Sequence, residues 1–131
     1  MPPAAWMTPG GFQPFEHRWA VEQAFRFHLE IGKARVADRI HELNRMCKQE
    51  LSKMPRVRVA TPMAEEVSAG IICFDVEGMD PYAVVERLKQ QRIVASVVPG
   101  FYVPLHVRLA PGLLTLEPDV ERALAGVRNL S

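Results

Sequence analysis

The side chains of this sequence that could do chemistry are few and scattered. Its four lysines, Lys33, Lys48, Lys53 and Lys89, are the residues that could form an imine with a carbonyl compound. Such a lysine needs a desolvated pocket that depresses its pKa. All four stand in charged helical stretches, which predicts solvated ammonium groups instead. Cys47 and Cys73 fall in a helical and a strand-like context without metal-ligand spacing, so reduced, buried thiols are expected. His28, His41 and His106 show no metal spacing either and read as structural or exposed; no metal site is expected. Arg108 is of another kind. It lies in the alternating run Val107-Arg108-Leu109, which turns its two neighbours to the opposite face of a strand. A planar guanidinium grips a carboxylate through two parallel hydrogen bonds and stays charged. From residue type alone, a surface ion pair and a site for a carboxylate ligand both remain open.

The elements that must position these residues follow from periodicity. From Trp19, apolar residues at Val21, Ala24, Phe25, Phe27 and Ile31 predict a helix, which Gly32 interrupts at a cost of about 1 kcal/mol relative to alanine. A second helix puts Val36, Ile40, Leu43, Met46, Cys47 and Leu51 on one face. Arg35, Asp38, Arg39, Glu42, Arg45, Lys48 and Gln49 occupy a mixed-charge face read as solvated, and Pro55 ends the run. Alternation over Arg56–Ala60 predicts a strand. Ala69–Val76, apolar on both faces for most of its length, predicts a central one. Asp80 is a good N-cap and Pro81 suits the first helical position, with Tyr82, Val84, Val85 and Leu88 facing inward. Ile93–Val98 and His106–Leu109 predict two more strands, and a last helix begins near Thr115–Pro118 with Val120, Leu124 and Val127 as its buried stripe. The order is helix, helix, strand, strand, helix, strand, strand, helix. It predicts an α+β fold, a two-layer sandwich in which helices cover one face of a small, mainly antiparallel sheet.

Residues 1–18 read differently from the body at 19–131. Pro2, Pro3, Pro9 and Pro14, with Gly10 and Gly11, predict an extended arm rather than a helix or a central strand. Trp6, Met7, Phe12 and Phe15 are too apolar for a free tail, so the arm should lie on a partner or fold back on its own core. The 131 residues suit one core, and 48% hydrophobic with 24% charged residues is ordinary for a globular protein. A net charge of +1 argues against nucleic-acid binding or attraction to an anionic membrane. No apolar run approaches the ~20 residues that span a bilayer, and the start lacks the pattern of a secretory signal, so a cytoplasmic location is expected.

The ordered series resembles the carboxy-terminal part of the class V aminotransferases, pyridoxal-phosphate enzymes of fold type I. The matching stretches are Phe27–Gly32, Ala34–Leu43, Ser68–Phe74, Val85–Val94 and Val107–Pro111. Within that family, Thr8-Pro9-Gly10-Gly11-Phe12 followed by Phe15-Glu16-His17-Arg18-Trp19 is most similar to the isopenicillin N epimerase-like group. The resemblance implies the small domain of an enzyme acting on an amino acid, with Arg108 binding the substrate α-carboxylate from the sheet edge. It places Gly10, Gly11, His17 and Arg18 near the cofactor phosphate of a neighbouring subunit in a dimer.

It also implies what is absent. Relatives run to about three times this length, and their cofactor lysine would lie upstream of Thr8. The expectation is a fragment or split subunit, partnered by a large cofactor-binding domain and inactive alone; the alternative is a stand-alone α+β interaction or regulatory module derived from such a domain. Cysteine desulfurases of the family carry a reactive cysteine on the loop before the arginine strand. Here that loop reads Val98-Pro99-Gly100-Phe101-Tyr102, which counts against desulfuration. Relatives often open the last helix with Asn-Thr, where this chain has Thr115-Leu116.

Overall fold

A computed structural model describes residues 15–98 and 104–130, without the side chains of Phe15 and His17. The chain divides into two compact units, residues 1–36 and 37–131. In the first, helix α1 spans Phe15–Ile31. It takes in four residues that the proline-rich pattern assigns to the extended arm. Its start directly after Pro14, with Glu16 in the first turn, is favourable for a helix N-terminus. The rest of the arm, with Trp6, Met7 and Phe12, lies outside the described residues. Trp19, Val21, Phe25, Phe27 and Leu29 are exposed on α1. Gly32 sits at φ 96°, the left-handed conformation that ends a helix at little cost to glycine. Its N–H donates to His28 O at 3.1 Å, and its carbonyl accepts from Val36 N–H at 3.1 Å, so one helix closes as the next opens. Helix α2, Lys33–Ser52, carries the chain into the second unit.

The second unit holds a four-stranded sheet in the order β1-β2-β4-β3, every neighbour antiparallel. The strands are β1 Val57–Val59, β2 Ile72–Val76, β3 Ser96–Val97 and β4 Val107–Leu109. Helix α3 is Pro81–Gln90 and α4 is Glu117–Arg128. The expected α+β architecture is therefore present. Ile72, Phe74 and Val76 of β2 and Val107 and Leu109 of β4 point to one side. There they form a single buried cluster with Leu43, Cys47 and Leu51 of α2, Val84 and Leu88 of α3, and Val120, Leu124 and Val127 of α4. Burial at this scale, ~25 cal/mol per Å² of apolar surface, is what holds helices to a sheet.

Local signals agree with this packing. Asp80 caps α3, its side chain accepting from the N–H groups of Tyr82 at 2.9 Å and Ala83 at 3.4 Å. At α4 the Thr115 hydroxyl accepts from Gly112 N–H at 2.9 Å instead of capping, and Asp119 reaches back to Leu116 N–H at 3.2 Å. Gly126 lets α4 approach α3 and the residues that follow it closely, since a Cβ there would stand 3.3 Å from Leu88 Cδ2 and 2.3 Å from Ile93 Cδ1.

Candidate functional site

The face of the sheet away from the core collects polar groups. Strand alternation puts Arg58, Cys73, Asp75, Ser96 and Arg108 there, in register: Arg58 opposite Asp75, Cys73 opposite Arg108, and Ser96 opposite Arg108 on its other flank. Arg108 thus lies on β4, an interior strand, and not at the sheet edge. The cause is strand order: β3, Ser96–Val97, which the alternation already predicts as a strand, pairs outside β4 and takes the edge.

Two sets of contacts order this face. Asp75 accepts from Arg58 Nη2 at 2.6 Å through Oδ2 and pairs with His106 Nδ1 at 2.7 Å through Oδ1. A carboxylate has no proton to give, so Nδ1–H is the donor. Arg108 Nε–H donates to Ser96 Oγ at 3.0 Å. Asp75, two residues along from Cys73, is the diagonal neighbour of Arg108 on this face, and both its oxygens are already engaged. Arg108 makes no ion pair among the described residues, although it is half-buried. A guanidinium held at one nitrogen, with its remaining donors uncommitted, is suited to an incoming carboxylate.

The other expected site residues are Gly10, Gly11, His17 and Arg18. Gly10, Gly11 and the side chain of His17 lie outside the described residues. Arg18 is an exposed residue of α1, in the first unit, and has interactions of its own. Lys33, Lys53 and Lys89 are exposed, as their charged settings predict. Lys48 is the correction: it is 1% exposed, with Nζ donating to Pro62 O at 2.9 Å, Met63 O at 3.0 Å and Ser68 Oγ at 2.8 Å. These contacts use the three ammonium donors to anchor the 62–68 segment and leave none for a ligand. Cys47 is buried, and burial pushes its thiol up to about 11, while Cys73 is partly exposed on the polar face. A cavity of about 250 Å³ between Cys47, Ile93, Leu109 and the start of α4 includes no residue of that face.

Ser96 and the Asp75–His106 pair were not singled out from the sequence. Their signal was a polar residue at alternate positions of otherwise apolar strands, Asp75 in β2 and Ser96 within Ile93–Val98. Among the described residues, no group of three His, Cys, Asp or Glu side chains could hold a metal ion, and no helix is long and apolar enough to cross a membrane.

Comparison with known proteins places these features. The family model for aminotransferase class-V matches residues 3–110. The apo cysteine desulfurase of Thermococcus onnurineus NA1 superposes with a TM-score of 0.72 at 22% identity, over 80% of this chain and 28% of that one. A NifS-like protein gives a TM-score of 0.75 at 14% identity, over 92% of this chain and 34% of that one. A C-DES mutant with glycine covalently linked to its PLP cofactor gives 0.69 at 22% identity, over 81% of this chain and 27% of that one. At these identities the likeness is one of fold. The chain spans about a third or less of the length of these structures. No curated protein matches it in sequence.

Proposed function

Because the chain belongs to the class-V aminotransferase family, we propose that it is the carboxy-terminal small domain of a pyridoxal-phosphate-dependent enzyme acting on an amino acid, of the isopenicillin N epimerase-like kind. The observation that carries this reading is Arg108, half-buried on the polar face of the sheet and without an ion pair among the described residues. Its role is to bind and orient the substrate α-carboxylate. The stretch Val98-Pro99-Gly100-Phe101-Tyr102 lacks the cysteine that desulfuration requires, which favours the epimerase-like group over the desulfurases.

The described residues do not fit the cofactor itself. Three lysines are exposed and Lys48 is fully engaged, so none offers the desolvated, available amine that cofactor attachment needs. The cofactor therefore belongs to a large domain, in cis or on a separate chain, and these 131 residues are inactive alone. The exposed apolar side chains of α1 support a docking partner: Trp19 is 73% and Phe25 65% exposed. A homo-oligomer of the complete enzyme, in the cytoplasm, completes the proposal. A stand-alone interaction module is the second reading, favoured by the closed hydrophobic cluster of the second unit.

The deciding experiment restores a large domain. The 131 residues alone should retain no cofactor after borohydride treatment. With the large domain restored, Arg108→Ala should lower kcat/KM by roughly one to two decades, since a charged hydrogen bond contributes about 1.5–3 kcal/mol and a decade corresponds to ~1.4. Arg108→Lys should recover little, because an ammonium cannot reproduce the fork. Indifference to the loss of Arg108 would refute the assignment.

A further inference from the structure

We infer that Ser96 is a positioning residue that makes Arg108 an end-on fork, so that the face receives a carboxylate through the two terminal nitrogens of the guanidinium and not through its Nε edge. The inference rests on the reading of Arg108 as a carboxylate site and specifies how that site works.

A guanidinium offers two bidentate edges, one made by Nε and one terminal nitrogen, the other by both terminal nitrogens. In this fold the first edge is occupied: Nε–H donates to Ser96 Oγ at 3.0 Å. The contact is built by the sheet. Ser96 and Arg108 are register partners across β3 and β4, so their side chains rise side by side from the same face. On the opposite flank Cys73 is the register partner and makes no competing hydrogen bond to the guanidinium. The only acidic side chain on the strand beside it, Asp75, is held by Arg58 and His106. Among the described residues the terminal nitrogens are thus the uncommitted donors, and a neutral hydroxyl holds the group without neutralising it. A carboxylate at position 96 would have fixed the arginine equally well and cancelled its charge. Serine orients the cation and leaves its field for the ligand. The acceptor that fits is a planar oxyanion presented along the long axis of the guanidinium, such as a free carboxylate.

The test uses the full chain, labelled with nitrogen-15 and observed at the arginine side chains, with acetate as the probe. The Arg108 Nε–H signal, assigned by its loss in Arg108→Lys, should exchange with water about tenfold more slowly than that of Arg92, which has no partner among the described residues. Ser96→Ala should remove that protection and Ser96→Thr should keep it; unchanged dispersion of the amide spectrum confirms that both variants are folded. Acetate should shift the terminal nitrogens of Arg108 and spare Nε in the parent chain. In Ser96→Ala, Nε should respond as well. An unprotected Nε–H in the parent chain, protection that survives Ser96→Ala, or an acetate response at Nε of the parent would overturn the inference. Intact protection with no response of Arg108 to acetate at all would instead overturn the carboxylate reading, and the end-on mode with it.

Discussion

The two faces of the sheet are made from the same strands and obey different rules. On the core side, Ile72, Phe74 and Val107 are fully buried in the apolar cluster they form with the helices. On the polar side, their sequence neighbours Cys73, Asp75 and Arg108 are half-buried, with Asp75 held by two directed contacts and Arg108 by one. The core face is specified by volume and tolerates exchange among side chains of similar shape. The polar face is specified by donors and acceptors, where one atom out of place leaves a group unpaired. Apolar packing and directed polar contacts are thereby separated across about one residue of sequence.

The sharpest way to break that comparison is to truncate adjacent residues. Phe74→Ala should cost about 3–5 kcal/mol in urea unfolding, the range for deleting a buried aromatic ring. Cys73→Ala, one residue away on the other face, should stay within about 1 kcal/mol. Comparable losses would mean that both faces are core.

The two cysteines report the same contrast chemically. Burial pushes the Cys47 thiol up to about 11, so its thiolate is scarce at neutral pH. Cys73, partly exposed, should be alkylated by iodoacetamide under native conditions, and Cys47 only when the chain opens. Mapping the modified peptide by mass spectrometry checks this, and equal labelling of both would show that the helix layer is not closed over Cys47.

How much of this was legible in the sequence depends on whether the deciding contact is local. The order of elements, the Asp80–Pro81 helix start and the buried stripes of α2 and α4 follow from spacing and cap chemistry, which a short stretch of chain carries by itself; on α3 the spacing finds Val84 and Leu88 but also turns Tyr82 inward, and Tyr82 is exposed. The strand position of Arg108, on the face away from Val107 and Leu109, was legible through its alternation. Lys48 was not. Among its charged neighbours it reads as solvated, yet it shares a helical stripe with Asn44 and Leu51, and both of those are buried. What admits an ammonium there is a set of acceptors from residues 62–68, and no local pattern announces them. The Ser96 contact was hidden for the same reason. It depends on the register between β3 and β4, which no short stretch of chain displays.

Lys48 gives the next test, because it is a polar device inside the layer that volume otherwise governs. Lys48→Met keeps the length and removes the donors, leaving Pro62 O, Met63 O and Ser68 Oγ to find others. The expected loss is about 1–3 kcal/mol. Hydrogen exchange should rise first in residues 60–70, before the strands open. A variant as stable as the parent, with that segment still protected, would show that the ammonium is replaceable by packing.

The smallest expected effect is electrostatic and lies on the outer surface of the helix layer. Arg39 of α2 donates to Glu42 at 2.8 Å and to Glu117 of α4 at 2.6 Å. The hydrogen bond from Arg39 is the main reason the Glu117 carboxyl is held below its usual range, and the same contact pushes the Arg39 guanidinium further up. The folded-state pKa of Glu117 is depressed, so its contribution is fully present above the unfolded value of about 4.3 and is lost as pH falls through the folded one. Glu117→Gln should therefore lower the melting temperature slightly at neutral pH and have no effect on it in acid well below that range. Both groups reach solvent, so added salt should shrink the neutral-pH difference. A penalty for Glu117→Gln that persists in acid or in high salt would assign the role of this residue to the helix start and not to its charge.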